Sequence, residues 1–255
     1  MRKSDDRGVS ESLGYVLIFA IVLTGIAGIV FVGVTILNDA KDRNNFQNVE
    51  QGLGVVQSDL KRVAMEKAPV KTSKLHIEGG SLATNFTAAK IRVEFNGNTY
   101  QNTTGEITFQ SATSGLKTIS IEDAGLWEST GPQSDLGIAP PRIFSSPTNG
   151  AIIINVIRLN GTASAIASAG TTNIVMEYAG NRVIPIHAPA PGDVTITVST
   201  SYPNAWARFI QDSINGFSLS PITVTGDSMQ VTISGVSEVI ISEHTIDIQP
   251  FYTTS

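Results

Sequence analysis

A chain of 255 residues has room for one N-terminal membrane element and one sizeable globular domain. Only 15% of its residues are charged and its formal net charge is −5, so no basic field exists to draw nucleic acid. It contains no cysteine, which excludes disulfides, zinc–thiolate sites and thiol nucleophiles.

The first twelve residues, MRKSDDRGVSES, are short and polar. Residues 13–37, LGYVLIFAIVLTGIAGIVFVGVTIL, then run for 25 positions without a charge or a proline. As a helix this stretch would be about 37 Å long, enough to cross a hydrocarbon core of ~30 Å. It is too long for the core of an ordinary secretory signal, and the following NDAKDRNN offers no small-residue cleavage site. Two readings remain: a plain signal-anchor helix, or a class III signal. The second rests on Arg7-Gly8-Val9-Ser10-Glu11, a basic residue and a glycine set just ahead of the apolar stretch.

The segment RGVSESLGYVLIFAIVLTGIAG resembles the N-terminus of archaeal type IV pilins and pilin-like proteins. The resemblance covers roughly the first 40 residues and the general layout beyond them. It implies that a prepilin peptidase cuts between Gly8 and Val9, after the basic Arg7, and leaves Val9 with the new α-amino group. It also implies an apolar helix that stays on the mature protein, with other pilin-like subunits as partners.

Glu11 stands two residues after that implied terminus. It either complements the helix dipole at the interface or pairs with the α-amino group of Val9, in its own chain or in an incoming subunit. Bacterial pilins place their acid deeper in the helix, a departure that bears on the inter-subunit version. Arg2, Lys3 and Arg7 precede the run, and Lys41 and Arg43 come after it. A leader this short cannot form a domain, so the N-terminus is expected inside and the remainder outside. Gly14, Gly25, Gly28 and Gly33, with Ala20 and Ala27, would let apolar helices approach closely, although no pair makes a GxxxG motif.

Beyond Leu37 helical spacing continues on an amphipathic pattern. Phe46, Val49, Leu53, Val56, Leu60 and Val63 form a heptad-like seam that ends ahead of Ala68-Pro69. It is short for a coiled coil, which favours packing on the protein's own sheet. Gly52 and Gly54 lie inside this half and make a bend plausible.

After Pro69 the period changes to two. Leu75-Ile77, Ile91-Val93-Phe95, Ile107-Phe109, Ile119-Ile121, Val194-Ile196-Val198 and Val231-Ile233 alternate with polar partners as half-buried strands do. Residues 151–159, AIIINVIRL, read as a central strand, and Asn96-Gly97 as a hairpin turn. A short helix opens near Tyr202-Pro203, with Asn204 as its cap. Residues 135–150 and 187–192 read as proline-rich loops, and residues 161–172 as a small-residue loop.

Chemistry-bearing motifs are scarce. His76, His187 and His244 lack ligand spacing, and the phosphate-binding and nucleophile-elbow motifs are missing. The acids Glu122-Asp123 and Asp39/Asp42 read as solvated surface. No catalytic residue, metal or cofactor is therefore expected, and no enzymatic activity. Asn85, Asn102 and Asn160 each open an N-x-[ST] sequon. With 15 asparagines and 50 serines and threonines, composition alone gives about three such matches.

The expected architecture is α+β: a long N-terminal helix, half transmembrane and half amphipathic, followed by an antiparallel β-sandwich-like head. The divisions fall at 1–8 (leader), 9–37 (transmembrane or assembly helix), 38–69 (stalk helix) and 70–255 (extracellular head). Such a chain would be a single-pass, pilin-like surface protein, a minor subunit of a filament involved in adhesion or assembly. The alternative is a surface protein that never polymerises and binds an extracellular ligand through its β-domain.

Overall fold

The computed structural model describes residues 6–112, 117–131, 134–167 and 170–254, with side chains from residue 13 to residue 252 within them. The chain divides into two units, residues 1–44 and 45–255. Helix α1 (Asp6–Glu66) runs through both without a break.

In the first unit the large apolar side chains of residues 13–37 are bare, from Leu23 at 49% exposure to Phe31 at 77%. Both threonines of the stretch bond back along the helix, Thr24 Oγ1 to the Ala20 carbonyl (2.8 Å) and Thr35 Oγ1 to the Phe31 carbonyl (3.1 Å). Their hydroxyls are thus satisfied without water.

In the second unit the heptad-like seam is buried in full. Val49, Leu53, Val56, Leu60 and Val63 are at most 1% exposed and pack with the apolar residues of the head. The stripe is therefore core, not a free coiled-coil seam. The helix is unbroken at the two glycines, and each has a different setting. A Cβ on Gly52 would stand 2.5 Å from Leu75 Cδ1, so the glycine lets the strand that carries Leu75 approach the helix. A Cβ on Gly54 would meet nothing within 4 Å. Gly54→Ala is expected to stabilise the protein by about 1 kcal/mol. Gly52→Ala should instead destabilise it, because the buried Leu75 must move. Denaturation midpoints of the two variants check this. The helix stops where Lys67 turns left-handed (φ 56°), just before Pro69.

Strands β1 (Val70–Ile77), β2 (Gly80–Asn85), β3 (Lys90–Phe95), β4 (Asn98–Thr103), β5 (Glu106–Ser111), β6 (Thr118–Glu122) and β7 (Gly125–Ser129) come next in close succession. Asn96 and Gly97 have φ of 48° and 72°, the paired left-handed conformation of a two-residue hairpin, as the sequence indicates. Then come β8 (Asp135–Ala139), β9 (Arg142–Ser146), β10 (Ala151–Gly161), β11 (Ala165–Ile166) and β12 (Gly170–Ser199). Helix α2 (Pro203–Ser213), β13 (Ser218–Leu219), β14 (Thr223–Val224), β15 (Ser228–Ile248) and β16 (Thr253–Thr254) complete the chain.

These strands form two sheets in a sandwich-like α+β arrangement. The larger runs β4-β3-β12-β15-β10-β9, with β1 and β16 on β12 and β13 and β14 on β15. The smaller runs β11-β2-β5-β6-β7-β8. Pairing is antiparallel except between β10 and β15, which run parallel from Ala151↔Glu238 to Gly161↔Ile248.

Three expected loops prove to be largely strand. Residues 135–150 carry the edge strands β8 and β9, and Pro140-Pro141 sits between them where the chain leaves one sheet for the other. Prolines, which cannot donate to a ladder, are tolerated at such edges. Residues 187–192 lie inside β12, where the register slips so that residues 188–191 stand opposite Ser237 alone. Pro189 and Pro191 fall in that bulge. Within residues 161–172, Ala165 and Ile166 pair with β2.

The head has two apolar clusters. One gathers β3, the second half of β12, the first half of β15, α2 and Ile152, Ile154 and Val156 of β10. The other gathers α1, β1, β2, β5, β6 and Ile157 and Leu159 of β10. Alternate residues of a strand face opposite sides. β10 therefore serves one core with its even positions and the other with its odd ones. β12 and β15 also supply both, through Ile174 and Ile196, and through Ile246 and Val231.

Candidate functional site

Of the residues singled out from sequence, Arg7, Gly8, Val9 and Glu11 fall in the first turns of α1, whose backbone is helical from Asp6. Their side chains lie outside the described ones. The leader residues 1–5, with Arg2 and Lys3, lie outside the described residues altogether. From Leu13 onward α1 is long and apolar enough to cross a membrane, and none of its most apolar stretch is buried.

The most unusual chemistry sits in the turn between β6 and β7. Glu122 and Asp123, expected on the surface, are both 1% exposed. β6 has a core on each face, so alternation no longer separates wet positions from dry ones. Glu122 Oε1 accepts from Trp206 Nε1 (2.9 Å) and Oε2 from Thr200 Oγ1 (2.8 Å), while its carbonyl accepts from Trp127 Nε1 (3.1 Å). Burial pushes the Glu122 carboxyl up to about 8, against those two side-chain donors, and the neighbouring Glu106 and Asp123 add to the rise.

Asp123 Oδ1 accepts from the Ile157 N–H (2.7 Å). β9 pairs with β10 only as far as Asn155↔Arg142, so Asp123 occupies the place on that edge which the ended strand leaves open. Burial raises its pKa well above the ordinary value, and its Oδ2 has no hydrogen-bond partner among the described residues. A composition-based reading sees only a polar E-D-A-G turn here, and no periodic signal marks it otherwise.

α2 is held by the same region. Asn204 does not cap it. Asp135, 69 residues away on β8, accepts from Asn204 Nδ2 (2.8 Å) and from the Ala205 N–H (2.7 Å), and its carbonyl accepts from Arg208. A carboxylate from β8 therefore meets one of the free N–H groups of the helix start. Trp206 stacks on Trp127 with centroids 4.9 Å apart, and Phe209 meets both rings edge-on. Beside these rings a pocket of about 390 Å³ is lined by Trp127, Leu136, Gly137, Pro140, Arg208, Phe209 and Asp212 among others. A second pocket, of about 630 Å³, is also lined by Arg208, with Asn204, Gln211 and residues 219–222.

A third depression, about 350 Å³, is lined by Lys61, Arg62, Glu66 and Arg142 among others. Lys61 Nζ donates to the Pro140 carbonyl (2.6 Å). Burial, then the charge of Arg142, push the Lys61 amine down to about 8.

On the larger sheet Glu243 is the centre of a polar cluster. It accepts from Tyr100 Oη (2.7 Å), Arg182 Nη2 (2.9 Å), Asn102 Nδ2 (3.1 Å) and Arg158 Nη1 (3.3 Å). Burial would raise its carboxyl, but these donors prevail and hold it below the usual carboxylate range. Sequon residue Asn102 thus belongs to this cluster. Asn160 donates to Asp247 Oδ1 (2.7 Å), and Asn85 is exposed. The histidines stay apart: His76 meets Thr171, His187 pairs with Glu238, and His244 meets Ser242. Among the described residues no group of three metal-ligating side chains forms.

No relative is found among the curated proteins. A family model, described as a family of unknown function, DUF7289, matches residues 7–249. That span takes in the helix and nearly the whole head, and the chain is a member of the DUF7289 family.

Proposed function

We propose that this protein is a membrane-anchored, pilin-like structural protein, processed between Gly8 and Val9 and displayed with its β-rich head outside the cell. One observation carries the reading: residues 13–37 are helical, uncharged and bare, while one face of residues 46–64 of the same helix is core. Leaving that apolar surface in water would cost tens of kcal/mol at ~25 cal/mol per Å². The stretch therefore resides in lipid or in a bundle of equivalent helices. Its small residues and internally bonded threonines suit both settings. In this reading the helix anchors and assembles, a filament grows from the membrane, and the head decorates its outside. Prepilin peptidase and sister subunits are the partners.

The test is the mass of the protein taken from its own membranes. A mature N-terminus at Val9, lost when Arg7 and Gly8 are substituted, is the expected result. An intact Met1 overturns the processing. A product cut beyond Leu37 and found in solution overturns the whole reading. Electron microscopy of sheared cell surfaces then separates a filament subunit from a lone anchor.

A further inference from the structure

The three sequons are equal as sequence motifs and unequal in the fold. At the end of β2, Asn85 is exposed and its side chain is oriented by the adjoining turn. Asn85 Oδ1 accepts from the Thr87 N–H (3.1 Å) and from Thr87 Oγ1 (2.9 Å). Two donors on the oxygen fix which way the carboxamide faces, and its Nδ2 has no partner among the described residues. Thr87, the third sequon residue, is exposed as well.

The other two have their carboxamide nitrogens committed, although Asn160 and Thr162 are exposed too. Asn102 Nδ2 is committed to Glu243 (3.1 Å), inside a cluster that also holds Tyr100 and Arg182. Its sequon hydroxyl belongs to Thr104, a residue only 3% exposed, and is itself buried beyond the reach of an enzyme. Asn160 Nδ2 is committed to Asp247 (2.7 Å). The middle residue, Gly161, is held at φ 146° against the Ile248 carbonyl, which lies 2.3 Å from where a Cβ would be. Asn160 and Gly161 also stand in the β10–β15 ladder, opposite Asp247 and Ile248.

We propose that Asn85 is an N-glycosylation site and that Asn102 and Asn160 are not. The inference rests on the reading that the head faces outside. The co-reactant is a lipid phosphate-linked oligosaccharide, delivered by a membrane glycosyltransferase. The bond from Asn85 Nδ2 to the sugar C1 forms as the C1–O bond to phosphate breaks. The phosphate leaves with the bonding pair, and the amide gives up one proton to a base of the transferase. The free, outward NH2 edge is the group this reaction needs. At Asn102 and Asn160 the attached sugar would have to displace a carboxylate contact of the folded head.

Trypsin places the sequons in separate peptides, residues 75–90, 93–117 and 159–182. Mass spectrometry of the full chain from the cells that make it should find a glycan mass on 75–90 and unmodified 93–117 and 159–182. Asn85→Gln and Thr87→Ala should abolish the modification, and Thr87→Ser should keep it. A bare 75–90, or a glycan on either other peptide, overturns the proposal. Labelling whole cells with a membrane-impermeant amine reagent, read at Lys90, separates the two possible failures. If Lys90 is labelled and Asn85 is bare, the modification fails and the outside location stands. If Lys90 is not labelled and Asn85 is bare, the location fails and takes the modification with it.

Discussion

Raising the pH from about 4.5 to about 8 should destabilise the head, with Glu122 as the main cause. In the fold, burial holds its carboxyl at about 8, against an ordinary value of 4.5. Below 4.5 folded and unfolded chains both carry the proton and nothing is lost. Between the two values the unfolded chain ionises while the folded one keeps its proton, so each pH unit favours unfolding by ~1.36 kcal/mol. Above about 8 both forms are ionised and the loss is complete, at several kcal/mol. Asp123, raised by the same burial, acts in the same direction.

Glu243 and Asp59 oppose this trend at the acid end. Burial favours their neutral forms, but bonds from Tyr100 and Arg182 to one, and from Lys71 and Ser73 to the other, hold both below the usual range. Their contribution is lost as pH falls through the folded values, so stability should peak in the mildly acidic range. Denaturant titrations of the protein in detergent between pH 4 and 9 measure the profile. Glu122→Gln should raise stability at pH 8 and flatten the alkaline limb. The amide can still accept from Trp206, and it can donate to the Thr200 hydroxyl in place of accepting from it. An unchanged slope in this variant would remove Glu122 from the account.

Trp206→Ala should be among the most damaging single substitutions, costing about 3–5 kcal/mol. It empties a site 1% exposed, removes the 4.9 Å stack on Trp127 and the edge contact with Phe209, and takes a donor from Glu122. Trp206→Phe separates these losses. It keeps a ring in the stack but leaves Glu122 Oε1 without its N–H, a change worth about 1–3 kcal/mol. Without that donor the ionised form loses support, so the alkaline limb of the stability profile should move to higher pH in this variant. A stability equal to the parent's at every pH would show that the indole N–H contributes nothing.

The elements legible in the sequence are those with strict local periodicity. The uncharged run of residues 13–37, the 3-4-3-4-3 seam from Phe46 to Val63 and the alternating strands each announce themselves within a few residues. Asn96-Gly97 does so too, because only certain residues accept two left-handed positions in a row. The illegible parts depend on distant partners. Pro140-Pro141 looks like a loop until the two edge strands beside it are known to lie in different sheets. Pro189 and Pro191 look like breakers until a register slip in β12 accommodates them. Glu122 and Asp123 look wet because their burial is supplied by α2 and β10, 84 and 34 residues away. Local spacing points to Asn204 as the cap of α2, whereas the carboxylate that serves this helix comes from β8. Among the sequons, likewise, only tertiary contacts distinguish Asn85 from Asn102 and Asn160.

Because β10, β12 and β15 each line both cores, no cut in the chain yields a half-head with a complete interior. Removing either end of β12 or β15 uncovers one cluster while amputating ladder partners of the other. The domain is indivisible in the engineering sense. Foreign sequence is best tolerated at its exposed turns, such as Asn96-Gly97, and worst within the three shared strands.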